Sequence, residues 1–409
     1  METRRIGFQA DALLEPQEAL ARYFAAAQLA APQGELVDFS CARGRFLAAA
    51  ITAQTDYPAA PRSAMDGFAA RSNELPARLK IAGVIRMGTP WPSPLAHGCA
   101  LRIPTGGVVP EGADTVVPIE DAHTDGAYVT LPAGPPGDCV TPAGSDMRAG
   151  ETVLEPGCRL GPAHLALLAT LGVVRVPVFR RPRIAVLSSG DELVAPALEP
   201  GPGEIRDSNR YGVAAAIEAM GALAVHLPTA RDDAGMLERL LREALEQCDG
   251  VVMTGGSSVG DKDLTPAIVA RLGRPGLIVH GLRVKPGKPT VLGAAAGKPV
   301  IGLPGNPVSA LAIVEMVARP VLEYLTGCGE SPPLFAAVLG VPLRKRAGWT
   351  WFVPARLDEA AMPAIAYPLQ LRSSSVSLLA RAACLLVLGE EIELLPTGAP
   401  VAVRRLGGS

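Results

Sequence analysis

Nowhere in the 409 residues is there a CxxC pair, a cluster of histidines and cysteines, or an apolar run long enough to cross a bilayer. The seven cysteines, Cys41, Cys99, Cys139, Cys158, Cys248, Cys328 and Cys384, lie far apart. That spacing argues against structural zinc and a disulfide scaffold, and it fits a reducing cytoplasm. The amino-terminal METRRIGFQADALL carries charges with no long apolar core behind them, so neither an export signal nor a membrane anchor is expected. A net charge of −2 supplies no broad basic field, which speaks against nucleic acid or an anionic membrane as partner. Any anion site must then be local. Tandem repeats and low-complexity tracts are missing as well. The length exceeds one ordinary core, and two to four domains are expected.

What is present centres on residues 251–265, VVMTGGSSVGDKDLT. Val251, Val252 and Met253 suit a buried strand. Gly255, Gly256 and Gly260 free the following loop for positive φ, so that consecutive N–H groups can face an anion. Asp261 and Asp263 would repel a phosphate held there unless a hard divalent cation lay between, and Mg²⁺ suits oxygen ligands. A tight surface turn with solvated acids would show the same residues.

Residues 10–31 place Leu13, Leu14, Leu20, Tyr23, Phe24 and Leu29 at a helical period, predicting one or two amphipathic helices of a scaffold. From about 51 to 145, short apolar runs split by glycine and proline have the texture of a small β-rich domain. Two polar loops interrupt it, PRSAMDGFA (61–69) and PTGGVVPEGAD (104–114), as functional loops or ordinary hairpin turns would. PAHLALLATLG then reads as a short helix, with Pro162 at its first position and Gly172 past its end. A β domain over 51–144 is therefore expected as an insert between the two halves, 1–50 and 145–180, of a helical scaffold. Beyond 181 the pattern alternates strand, loop and helix, with helix starts at Asp207 or Ser208 and after Asp232 and Asp233. Such alternation predicts a parallel, doubly wound α/β domain over 181–327. Ligands collect at the carboxyl ends of its strands, where SSGDEL (188–193) and TGGSSVGDKD (254–263) both fall. Gly305-Asn306-Pro307 opens a helix whose free N–H groups suit an anion. Short β-like runs with prolines predict a small β-barrel domain over 328–409.

In their shared order and spacing, SAMDGFA, PTGGVVPEGAD, SSGDEL, TGGSSVGDKD with KPGKP, and LPGNPVSA resemble the molybdopterin molybdenumtransferase family, MoeA in bacteria and the gephyrin E domain in animals. The resemblance covers nearly the whole chain. It implies an enzyme of molybdenum cofactor biosynthesis that inserts molybdate into adenylylated molybdopterin, releases AMP and requires Mg²⁺. It also implies a homodimer whose inserted β domain reaches the partner's 181–327 domain, so that the active site is shared between chains. The pathway's adenylyltransferase is a further expected partner.

By motif match Asp66, Thr105, Glu192, Asp263, Lys285 and Lys288 are the expected catalytic residues, with Asp146 among the substrate contacts. An aspartate capping a turn would look like Asp146. Molybdate is a dianion, and Lys285 and Lys288 can supply point charges to it, although a lone KPGK is equally the pattern of a solvated basic turn. Glu192, Asp232 and Asp263 would hold Mg²⁺. Gly255, Gly256, Ser257, Ser258 and Gly260 would cradle phosphate, and Pro304, Gly305, Asn306, Pro307 and Ser309 would line the pocket. Pro307 is also what the first turn of a helix favours. Two departures stand out: Ser257 takes the apolar position of the usual SGGVSVG loop, and Gly348-Trp349-Thr350-Trp351-Phe352 replaces arginines and a glutamate before a phenylalanine. Arg356, Arg372, Ser373, Ser374 and Ser375 are the candidates to compensate. One rival reading is the adenylyltransferase of the same pathway, whose fold resembles 181–327 and against which the extra domains argue. Another is a non-catalytic scaffolding protein, against which Asp66 and Asp263 argue.

Overall fold

The structure, a computed structural model, describes residues 13–255, 264–329, 331–369 and 375–406. The chain divides into two compact units, one holding Ala49–Glu155 with Leu167–Val173 and the other the remainder.

Six strands form the central sheet of the larger unit, in the order Leu223–His226, Arg183–Ser188, Gly250–Thr254, Lys298–Leu303, Val291–Ala295 and Pro275–His280. The first four run parallel. Alternate residues of a strand face opposite layers. Ile184, Val186, Val252 and Ile301 accordingly join one buried cluster, with helices Pro16–Ala27 and Asn209–Ala219. Ala185, Leu187, Val251, Met253 and Val300 join the other, with helices Ala234–Gln247 and Thr265–Arg271. Each such buried side chain contributes about 1.5–3 kcal/mol, so strands apolar on both faces are fixed at the centre of the sheet. Helix Ala234–Gln247 begins where Asp233 accepts the Met236 N–H at 2.6 Å.

The last two strands run antiparallel. Parallel neighbours need a long crossover, but only Ala296 and Gly297 join Val291–Ala295 to Lys298–Leu303. Their φ values of 51° and 76° are those of a primed hairpin turn. The parallel order expected from the sequence thus holds for four strands and stops at this hairpin. The chain leaves Arg183–Ser188 toward one edge and returns on its other side as Gly250–Thr254, which puts the topological switch point between their carboxyl ends.

Carboxy-terminally, Thr350–Asp358, Ile365–Pro368, Phe335–Leu339, Pro400–Arg405 and Cys384–Leu388 pair in turn, and the last pairs back with the first to close a barrel. The short strand Val284–Lys285 from the α/β layer pairs with Thr350–Asp358 in parallel. That contact docks the barrel. Phe352 buries in the α/β core, while Val353 and Ala355 fill the barrel.

The smaller unit carries its own six-stranded sheet, with Phe68, Leu79 and Val129 in one buried cluster and Leu101, Ile103 and Val116 in another. The segments expected to form a helical scaffold supply helices Pro16–Ala27 and Pro162–Thr170 and an antiparallel ribbon of Gly34–Asp38 with Arg175–Phe179. Among the described residues no helix is long and apolar enough to cross a membrane.

Candidate active site

The switch point is built on a buried carboxylate. Asp207 Oδ1 accepts the Ser188 hydroxyl at 3.0 Å and the Arg210 N–H at 3.2 Å; Oδ2 accepts the Thr229 hydroxyl at 3.3 Å and lies 3.5 Å from Arg210 Nε. Both oxygens are occupied, which is what a carboxylate removed from water requires. The Thr254 hydroxyl lies 3.1 Å from that of Ser188, so the ends of the two adjacent strands are tied together. Gly255 follows with φ +92°, and a Cβ there would fall 2.0 Å from the Ser189 carbonyl oxygen. Only glycine fits. Ser189 Oγ and Asn209 Oδ1 are buried with no partner among the described residues, while Asn209 Nδ2 donates to the Gly305 carbonyl at 2.6 Å. These groups, with Glu192 and Pro307, line a small cavity of about 60 Å³.

A larger cleft of about 470 Å³ opens beside it, between the α/β layer and the barrel. On one side stand Lys285 and Lys288 with Asn306 and Ser309; on the other stand Arg346, Trp349 and Trp351. Gly287, between the lysines, has φ +117°, and a Cβ there would meet Ile313 Cδ1 at 2.4 Å, so the turn rests directly on the core. The Thr290 hydroxyl donates to the Gly287 carbonyl at 2.6 Å, and the Leu282 N–H to that of Lys288 at 2.9 Å. Lys285 Nζ stands 4.3 Å from the centroid of the Trp351 ring, and Lys288 Nζ 5.9 Å from that of Trp349. Lys345 is buried and donates to the Trp349 carbonyl at 2.7 Å. Burial lowers its pKa, and Glu391, Glu390 and Glu393 oppose that shift. Lys285, Lys288 and Arg346 face the cleft together, and three cations gathered on one space attract an oxyanion.

Of the residues predicted from sequence, Glu192, Gly255, Gly305 and Pro307 share the small cavity, and Lys285, Lys288, Asn306 and Ser309 share the cleft. Pro307 does occupy the first turn of helix Pro307–Ile313. Pro304 is buried and lines neither space, and Asp232, whose N–H donates to Asp191 at 3.3 Å, lines neither. Asp66, Thr105 and Asp146 belong to the smaller unit. There Asp66 Oδ1 accepts the Thr105 N–H at 2.7 Å and its hydroxyl at 3.0 Å. Those two bonds, the backbone one foremost, hold the Asp66 carboxyl below the usual carboxylate range. Asp146 is exposed, and its N–H donates to the Tyr57 carbonyl at 3.1 Å. Gly256, Ser257, Ser258, Gly260 and Asp263 lie outside the described residues, as do Arg372, Ser373 and Ser374. Among the described residues no group of three His, Cys, Asp or Glu is placed to hold a metal. Sequence reasoning missed Arg346 and Lys345. In LRKRAGWTW they read as surface charges, and only their closeness to the flagged tryptophans was a signal. Arg356, a candidate to compensate for the altered loop, is exposed and does not line the cleft.

A doubly wound sheet with a cationic cleft beside its switch point, roofed by a β-barrel, is a multidomain α/β architecture with its ligand space at the strand ends. Residues 14–172 match the MoeA N-terminal region (domain I and II), residues 185–324 a probable molybdopterin binding domain, and residues 336–406 the MoeA C-terminal region (domain IV). The chain belongs to the MoeA family. The molybdopterin molybdenumtransferase of Bacillus subtilis is 36% identical over 362 residues, 84% of this chain and 83% of that one. That of Haemophilus influenzae is 34% identical over 322 residues, 77% and 79%. A crystal structure of the molybdopterin biosynthesis MoeA protein from Pyrococcus horikoshii is similar with a TM-score of 0.82 at 31% identity, covering 97% of this chain and all of that one.

Proposed function

We propose that this chain is a molybdopterin molybdenumtransferase, an enzyme of molybdenum cofactor biosynthesis that inserts molybdate into adenylylated molybdopterin and releases AMP. The observation that carries the reading is the cleft on which Lys285, Lys288 and Arg346 converge, next to the Glu192 cavity at the switch point. Curated relatives at about 35% identity bear the same activity in their names. Lys285 and Lys288 would hold molybdate by charge, with Ser309 and Asn306 as hydrogen-bonding groups beside them. The strand-end cavity, closed to side chains at Gly255, would take the phosphate portion of the pterin against backbone.

The donors there suit Mg²⁺: Glu192 and the Ser189 hydroxyl, which has no partner among the described residues, offer oxygen, the ligand type a hard cation takes. With Asp263, and Asp232 from the neighbouring loop, they would hold it; bound there, Mg²⁺ supplies neutralising charge to the phosphoanhydride. Asp66, fixed by Thr105, would complete the site from the partner chain of a homodimer, and the pathway's adenylyltransferase would deliver the substrate. Incubating the protein with adenylylated molybdopterin, Mg²⁺ and molybdate, and following AMP, tests the reading. Molybdate-dependent AMP release is expected, and its absence would overturn it.

A further inference from the structure

Helix Pro307–Ile313 passes through a π-helical turn, Val314–Ala318, into helix Arg319–Thr326. Widened turns of this kind are frequent at functional sites. Here the turn borders a second cleft, of about 420 Å³, whose walls carry Arg159, Glu315, Arg319, Arg404 and Arg405 beside Phe335. Two of the four guanidiniums are already neutralised. Arg319 pairs with both Glu315 and Glu323, and Arg405 pairs with Glu359 and lies 4.7 Å from the Phe335 ring centroid.

Among the described residues the other two are not. Arg159 makes one long hydrogen bond, 3.4 Å, to the Ala219 carbonyl. Arg404 donates to the Pro332 carbonyl, and its Nε is buried without a partner. Among the described residues neither has a carboxylate within ion-pair distance. Burial and the neighbouring Arg319 pull the Arg404 pKa down, while the Glu323 and Glu315 that oppose this are engaged by Arg319. Arg404 is half-buried, and its buried Nε–H, with no acceptor among the described residues, is costly to leave unpaired; an anion in the cleft could accept from it. Leu311, Leu379 and Leu406 make the rest of the wall apolar.

We propose that this cleft is a second anion site, separate from the lysine cleft, for a small phosphomonoester with an apolar or planar body. The guanidinium fork matches phosphate oxygens, a dianion balances Arg159 with Arg404, and the apolar wall takes the organic part. The volume lies within the range of small-molecule pockets.

Calorimetric titration of the full chain with phenyl phosphate, and separately with inorganic phosphate, tests this. Phenyl phosphate should bind wild type and a Lys285→Gln/Lys288→Gln variant alike, which separates this site from the lysine cleft. Arg159→Gln and Arg404→Gln should each weaken it by about tenfold or more, the loss expected for one charge-assisted bond. Arg159 is exposed and outside the Arg319 network, so its variant keeps the test decisive should Arg404→Gln fail to fold. Binding unchanged within twofold in Arg159→Gln, or abolished by the lysine substitutions, would overturn the site. Equal binding of inorganic phosphate would overturn the organic body.

Discussion

Lys285→Gln removes one positive charge from the cleft without removing its bulk. At about 4 Å a charge pair is worth about 1 kcal/mol at the dielectric of water and about 4 kcal/mol at an effective value near 20. Lys285 is exposed and Lys288 half-buried, so the lower figure applies to Lys285. Against a dianion it amounts to about 2 kcal/mol, or roughly thirtyfold in the molybdate requirement. Lys288→Gln should cost more, because the residue is less exposed. Added salt shortens the screening length from about 10 Å at 0.1 M to about 3 Å at 1 M, so wild type should lose molybdate affinity with salt faster than either variant. Trp351 supplies a direct readout, since an oxyanion that draws the Lys285 ammonium from its place 4.3 Å from the ring centroid changes the indole emission. Trp91→Phe removes the signal of the smaller unit. A molybdate requirement unchanged within twofold, in a variant that melts like wild type, would refute the charge argument and return the lysines to a solvated turn.

Trp351→Ala should raise the molybdate requirement severalfold while leaving a folded protein, because its ring borders both the ammonium and the cleft; lost stability with normal turnover per folded molecule would assign it to packing alone. Thr105→Ala should move the Asp66 titration, followed by NMR, part of the way up toward the usual carboxylate range, since the backbone bond, the larger cause, remains. The sign follows from linkage: a lowered folded-state pKa stabilises above the unfolded value, and that contribution fades as pH falls through the lowered one. An unmoved midpoint would remove the hydroxyl's role. Co-refolding Asp66→Ala with Asp263→Ala chains should restore about a quarter of wild-type activity, because about half the dimers are mixed and each mixed dimer keeps one intact site. Mixed dimers as inactive as either parent would exclude a shared site.

Period and punctuation made most of the α/β layer legible. Ile184 to Leu187 and Val251 to Met253 are apolar on both faces, which only a central strand tolerates, and Asp233 marks its helix start by chemistry that acts within four residues. The antiparallel hairpin was less legible, because VLG and KPVIGL carry the same apolar run whichever way they pair; Ala296 and Gly297 decide the direction. The π-helical turn at Val314–Ala318 leaves no periodic signature at all. In the site, the motif residues were named by their match to the family's motifs. Arg346 was not, because it reaches the cleft through barrel closure and the pairing of Val284–Lys285 with Thr350–Asp358, contacts remote in sequence; nor was Lys345, buried under the Trp349 carbonyl. The altered loop was flagged as a departure, yet its physical role, two indole rings set against two ammonium groups, needed the distances of 4.3 and 5.9 Å.

The central claim is that the cationic cleft and the strand-end cavity act as one site on one substrate. Its most direct test is single-turnover AMP release from adenylylated molybdopterin, with Mg²⁺ present and molybdate added last. Wild type should release AMP on addition of molybdate, Lys285→Gln/Lys288→Gln should do so only at much higher molybdate, and Glu192→Gln should fail at any molybdate concentration. AMP release that ignores molybdate, or that survives both sets of substitutions unchanged, would contradict the account.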